Sequence, residues 1–460
     1  MSAPLIFIIL PGFFSTVLFT LQRFSRLNQV SGAAISLILV LLAWRLPIDT
    51  PIFLGVPGLP PLVISNSLTF LGRRFFLDNS LRPLMGLIYF VVSLWLVGSF
   101  AVKVSQLFVP LILGMGALIT ASVAVEPPLY AALFIVLTAM ISIPIFSPPG
   151  KPASSAAMRL LIFQLIGMGL FLFADWFLSS FQTAPEDFHL LTLAVAFFGL
   201  GLAFLAGIFP FHTWIPMLAE SAYPYAASIV IFLIPFTASL AGLRYLSDYS
   251  SLDLFPGIQV TLRTAGVLMV LVAGVWAAME RHLGRIMGFA AMIQVGNTIL
   301  AFSLANQPFQ SFPLPGIIIS FLIPQAIALV VWSISLSILV EKFGDEPAGS
   351  LRFHLAQGSV SLYPFAVIGL LLANFSLAGL PLLANFPGLI ILGSAIADTS
   401  TISSTLLWIG HAGLLIAGLR TFAVLTMDPQ ERSWQISENR LQVLWLVIGM
   451  VILLVLGIAP

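Results

Sequence analysis

Apolar runs long enough to cross a bilayer recur from one end of this 460-residue chain to the other. A spanning helix needs about 20 mostly apolar residues. Windows of that kind fall near 3–21, 29–46, 83–102, 105–125, 128–146, 159–180, 188–210, 223–246, 258–279, 286–304, 314–340, 361–397 (interrupted), 403–426 and 440–458, about fourteen in all. Sixty per cent of residues are hydrophobic and 8% are charged, against roughly 25% charged in a soluble domain. A transmembrane barrel would instead show weak alternation over about ten residues. The expected fold class is an all-α polytopic membrane protein. The links are short and leave no room for a soluble domain. The first run lacks a basic segment before it and a small-residue cleavage site after it, so it is read as a retained span.

A net charge of +1 gives no case for nucleic acid. The absence of cysteine excludes thiolate metal sites and cysteine-held clusters within the chain. The five histidines, His189, His212, His282, His354 and His411, show no ligand spacing. No cofactor is expected in this chain, and no hydride or quinone chemistry within it alone.

Two windows contain breaks. Phe209–Pro216 reads FPFHTWIP, and Ser376–Gly388 reads SLAGLPLLANFPG. Proline removes a backbone donor and clashes with the preceding turn, so interruptions are expected at Pro210, Pro216, Pro381 and Pro387. Broken backbone at membrane depth is tolerated where protein or an internal cavity satisfies it. Two broken helices at corresponding places in two halves point to an inverted-repeat transporter fold. The bland alternative for the first is a helix ending at the interface, with Trp214 as an aromatic anchor.

Lys and Arg set the orientation. With the amino terminus outside, the inner links and their flanks hold Arg23, Arg26, Lys103, Lys151, Arg159, Arg281, Arg285, Lys342, Arg352, Arg432 and Arg440. The outer links hold Arg45, Arg73, Arg74, Arg82 and Arg244. Both termini are therefore expected on the non-cytoplasmic side.

Three stretches together resemble the antiporter-like membrane subunits of respiratory complex I, Mrp cation/proton antiporters and membrane-bound hydrogenases. FPFHTWIP, followed by Glu220 and Pro224, is similar to the family's "FPFHxWLPDA" and "PTPVSA". Arg285–Gly296, RIMGFAAMIQVG, is similar to "KRLLAYSSIxxMG". SLAGLPLLANF at 376–386 is similar to "SLAGIPPLAGF". The resemblance implies fourteen spans with broken helices 7 and 12; the spacing of the two breaks alone points to two inverted five-helix repeats, here 105–246 and 258–426. Spans before 104 and at 440–458 would flank them.

What the resemblance implies chemically is proton movement through buried charged stations, because a buried lysine has an environment-sensitive pKa. The chain departs from that pattern. The positions matching the family's lysine of the seventh span, the lysine or histidine of the eighth and the lysine or glutamate of the twelfth are Leu205, Phe236 and Leu389. The remaining candidates for a path, or for holding the break, are His212, Glu220 and Glu126, with Gln294, Asn297 and Gln325 able to hold water. For His212 a structural, hydrogen-bonded role is expected. For Glu126, before Pro127 and Pro128, the expected place is the interface, where an acid at a helix start is favoured by the dipole.

The functional expectation is a membrane-arm subunit of a complex I-like, proton-translocating assembly, with a degenerate ion path and a scaffold or docking role. Its partners would be other membrane subunits and lipid, in a bacterial inner membrane or a thylakoid. The alternatives are a subunit of an Mrp-type antiporter or membrane-bound hydrogenase, or a stand-alone ion-coupled transporter.

Overall fold

The structure is a computed structural model that describes residues 2–51, 63–147, 153–249, 257–304, 321–344, 351–427 and 434–458. Helices form where the apolar windows lie: α1 (Leu5–Thr20), α2 (Ser25–Arg45), α3 (Arg82–Gly98), α4 (Phe108–Ala124), α5 (Ala131–Phe146), α6 (Ser155–Thr183) and α7 (Phe188–Ala206). There follow the short α8 (Trp214–Ser221), then α9 (Pro224–Asp248), α10 (Ile258–Met279), α11 (Leu283–Ser303) and α12 (Ile323–Phe343). The chain closes with α13 (Pro364–Leu377), α14 (Phe386–Thr399), α15 (Thr401–Thr426) and α16 (Arg440–Ile458). Among the described residues, eleven helices are long and apolar enough to span on their own. The shorter apolar α1 and α4, and the split pair α13 and α14, complete fourteen crossings. The expected window at 314–340 is seen from 321 onward, and its first residues lie outside the described ones.

The bundle has a buried centre and a lipid-facing rim. The apolar windows of α9 and α11 are wholly buried and that of α12 is 94% buried, whereas only 17% of α16 is. A helix apolar all round belongs inside a bundle. Polar residues on α11 and α12 therefore face protein. Small residues set the closest approaches, as expected where lipid supplies no hydrophobic drive between helices. A Cβ on Gly274 of α10 would lie 2.0 Å from the Gly410 carbonyl oxygen on α15, and one on Gly413 would lie 2.3 Å from that of Gly274.

The 47–82 link is not wholly irregular, which the helical periodicity did not foresee. Strands β1 (Ser67–Phe70) and β2 (Arg73–Phe76) pair antiparallel through a two-residue turn, with positive φ at Leu71 and Gly72, the primed-turn geometry hairpins favour. Strand β3 (Val125–Glu126) adds to β2, with Glu126 opposite Arg74.

Basic residues gather at the two ends as their link positions predict. At one end Arg74 pairs with Glu126 at 3.6 Å, and Arg244 donates to the Val123 carbonyl. At the other, Lys103 pairs with Glu341 at 3.4 Å and Arg285 with Glu220 at 3.6 Å.

Candidate functional site

Both expected interruptions are present, and each frees carbonyls that the bundle must satisfy. The seventh helix stops at Ala206. Gly207 turns the chain at φ +68°, and the Ile208 amide closes back on the Ala203 carbonyl at 2.9 Å. Only glycine adopts such a left-handed cap without cost. The helix resumes as α8 at Trp214. The twelfth helix stops at Leu377, passes Gly379 (φ +78°) and Leu382 (φ +71°), and resumes at Phe386.

Pro210 and Pro381 lie inside the interruptions. Pro216 and Pro387 do not: each sits within the first turn of the second half-helix. That is where proline's missing donor leaves no bond unmade. Trp214 is fully buried and packs over Gly207 rather than anchoring at an interface; a Cβ on that glycine would meet its Nε1 at 2.9 Å.

One buried glutamine serves each break. Gln164 of α6 donates its Nε2 to the Leu205 carbonyl at 3.0 Å, and Gln294 of α11 donates to the Leu377 carbonyl at 3.0 Å. The second forms part of a chain. Asn297 Nδ2 donates to Gln294 Oε1 at 3.1 Å, and the Asn297 Oδ1 lies 3.3 Å from His411 Nε2 on α15. Gln294, Asn297 and His411 are each at most 4% exposed. Beside them Asn385 donates to the Ser376 hydroxyl at 3.0 Å, while both amide atoms of fully buried Asn374 have no partner. Gln325, with an unpartnered Nε2, shares with Gln294, Thr298 and Phe236 a cavity of about 20 Å³, enough for one water.

The other sequence candidates lie apart from this cluster. Glu126 is strand-borne and ion-paired to Arg74 at the end of the bundle. Glu220 pairs with Arg285. His212 lies in the first break and stacks on Phe209 at 5.5 Å, with a buried Nδ1 that has no hydrogen-bond partner. The expected hydrogen-bonded role for His212 is therefore replaced by ring packing. Among the described residues no hydrogen bond or ion pair links His212, Glu220 or Glu126 to Gln294 and Asn297. Sequence reading missed His411 as a partner. Its signal was its place, an ionisable residue inside a span.

The three apolar positions are packed, not vacant. Leu205 is 1% exposed and lies against Gly167, where a Cβ would meet its Cγ at 2.8 Å. Phe236 stacks on Phe232 at 5.9 Å. Leu389 covers Gly379, its Cδ2 2.3 Å from where a Cβ would stand. The first two motifs also meet physically: Gly284 and Gly288 of α11 receive α8, with a Cβ on Gly288 falling 2.8 Å from Pro216 Cα. No cluster of three metal-ligating side chains occurs among the described residues.

Residues 128–414 match the family described as NADH:quinone oxidoreductase/Mrp antiporter, TM. The chain belongs to that family. Curated relatives include NADH-quinone oxidoreductase subunit N of Pelagibacter ubique, 23% identical over 95% of this chain and 91% of the relative. The subunit N of Hydrogenovibrio crunogenus is 22% identical over 76% of this chain and 74% of its own. Among solved structures, a chain of the membrane-bound sulfane sulfur reductase, an archaeal respiratory membrane complex, superposes with a TM-score of 0.79 at 16% identity, covering 100% of this chain and 95% of that one. A chain of the Mrp complex from Dietzia sp. gives 0.76 at 15%, covering 99% and 94%. One of Thermus thermophilus respiratory complex I gives 0.71 at 16%, covering 99% and 97%. This member of the family is a multi-pass integral membrane protein that carries packed leucine and phenylalanine at the three positions singled out above.

Proposed function

We propose that the chain is a membrane-arm subunit of a complex I-like, proton-translocating assembly, in which its own ion path has degenerated and its bundle acts as a scaffold. The subunit N relatives support the assembly. The Mrp and sulfur-reductase superpositions reflect a shared fold, and they leave an antiporter-type complex as the second reading. Its partners are other membrane subunits, and it holds no cofactor of its own.

The observation that carries the loss of conduction is the packing of Leu205, Phe236 and Leu389. An apolar side chain holds no proton. A buried charge also costs several kcal/mol even after relaxation, so aliphatic replacement is favoured once conduction is not required. His411 does not restore a path: the side chain it reaches, at 3.3 Å, is the neutral amide of Asn297.

Two five-helix inverted repeats, 105–246 and 258–426, are supported by the place of the breaks, since the interrupted helix is the fourth in each. The Lys/Arg asymmetry supports both termini on the non-cytoplasmic side, and the membrane proposed is a bacterial inner membrane, with a thylakoid as the alternative. The test is reconstitution. Purified chain in proteoliposomes is expected to show no proton flux above lipid background, while affinity purification from native membranes retains redox-complex subunits. Flux abolished by His411→Leu, His212→Ala or Glu220→Gln, with the fold intact, would restore the conducting reading.

A further inference from the structure

At the end of the bundle where α10 turns into α11 there is a cavity of about 720 Å³, lined in part by Arg281, Arg285, Arg352, Arg420, Glu220 and Glu280. Among the described residues that line it, four arginines face two carboxylates, a surplus of two positive charges. Both carboxylates are already engaged by one guanidinium: Arg285 pairs with Glu280 at 3.2 Å and with Glu220 at 3.6 Å. Arg420 donates to the Ala278 carbonyl and lies over the Phe353 ring. Among the described residues, the side chains of Arg281 and Arg352 have no hydrogen-bond or ion-pair partner. The backbone holds these two together, since His282 and Arg352 form an antiparallel bridge and the Phe353 amide donates to the Arg281 carbonyl.

The wall also contains a buried donor without an acceptor. His282 is 4% exposed, and its Nδ1 accepts from the Gly284 and Arg285 amides at 3.1 and 3.3 Å. Nδ1 is therefore unprotonated, and the ring hydrogen is on Nε2. That Nε2 is buried with no hydrogen-bond partner. Leaving a buried donor unmade is costly, so this wall is short of an acceptor. Arginine forks match phosphate oxygens in geometry and charge.

What lies at the rim decides the source of the phosphate. Trp276 and Met279, in the last turn of the spanning helix α10, are 55% and 70% exposed. An exposed tryptophan at a span's end sits at headgroup level, with hydrocarbon on one side and the cationic cavity on the other. A soluble anion has no use for that apolar rim; an acyl chain does.

We propose that this cavity binds the phosphate headgroup of an anionic phospholipid, with Arg281 and Arg352 as the free cations and with Trp276 and Met279 against its acyl chains. Basic pockets between transmembrane helices recognise lipids in this way. The site is independent of which assembly holds the chain and of whether it conducts, so its failure and that of the scaffold reading are separable.

The experiment titrates the purified full chain, in neutral detergent, with phosphatidylglycerol, phosphatidylcholine or inorganic phosphate, reading melting temperature and, by native mass spectrometry, bound lipid. Phosphatidylglycerol is expected to bind and stabilise, and the other two to have no effect. Each arginine near an anionic surface contributes about fivefold in affinity, so Arg281→Gln with Arg352→Gln should weaken phosphatidylglycerol about 25-fold. Arg73→Gln with Arg74→Gln, at the opposite end, should leave it unchanged. If the double variant is not monodisperse, Arg352→Gln alone should weaken binding about fivefold. Equal affinity of wild type and variant for phosphatidylglycerol overturns the site. So does equal stabilisation by inorganic phosphate, which would make it a site for soluble anions.

Discussion

Replacing Gln294 by leucine tests whether the buried glutamine holds the twelfth-helix break. Leucine approximates the glutamine's volume and creates no large cavity, so the loss is confined to hydrogen bonds. Two disappear: the bond from Nε2 to the Leu377 carbonyl at 3.0 Å and the one from Asn297 Nδ2 to Oε1 at 3.1 Å. In water-soluble proteins two stranded partners would cost up to about 6 kcal/mol. Within a membrane the unfolded reference also finds partners, and such bonds average about 0.6 kcal/mol with a maximum near 1.7. The membrane scale applies, giving about 1–3 kcal/mol for Gln294→Leu. Gln164 makes one such bond, to the Leu205 carbonyl, and its Oε1 has no partner. Gln164→Leu should therefore cost about half as much. His411 reaches the network through Asn297, so Gln294→Leu and His411→Leu should be non-additive by about 0.5–1 kcal/mol. Equilibrium unfolding by SDS in mixed micelles reads all four values of the cycle. A cost for Gln294→Leu below about 0.5 kcal/mol, the scale of a neutral surface change, would refute the reasoning. So would a larger cost for Gln164→Leu.

Glu438 caps α13, its Oε1 accepting from the Phe365 and Ala366 amides at 2.9 and 3.3 Å while Oε2 has no partner. Burial holds its carboxyl above the ordinary glutamate value of 4.5, so its stabilising contribution is full below that value and falls as pH rises through the folded one. Glu438→Gln keeps the acceptor and should gain in melting temperature relative to wild type between pH 4 and pH 8, whereas Glu438→Ala should lose about 0.5–2 kcal/mol; a pH-independent difference for Gln counts against the cap being strained by charge. For orientation, a reporter fused after Pro460 should be active only outside the cytoplasm, and cytoplasmic activity alone reverses the topology.

The spans, the two breaks and the apolar residues at the three motif positions could be read from the sequence because each leaves a local mark. An apolar window, a Pro near a Gly and a leucine at a motif position need no knowledge of neighbours. What stayed hidden depends on contacts between distant segments. His411 acquires meaning from Asn297, Gln164 from the Leu205 carbonyl and Glu438 from the start of α13. Glu126 was legible as an acid between two spans. Its pairing with Arg74 was not, because a strand of two residues has no periodicity to reveal it. Pro216 and Pro387 look like breakers in sequence. They act as starters because Gly207 and Gly379 have already turned the chain before them.

This distinction bears on why the family's motifs persist here while its charged stations do not. The motif residues hold backbone: Gly207 turns it and Trp214 covers the turn, Gly288 admits α8, and Gly379 lies under Leu389. Each is needed wherever a helix is broken inside a membrane, because an unsatisfied or badly packed break costs several kcal/mol whatever passes through it. The stations hold only charge. Losing one removes a desolvation penalty and adds packing, as Leu205 and Leu389 show against Gly167 and Gly379. On the proposed scaffold role, selection for stability and assembly retains the three motifs without retaining the charges.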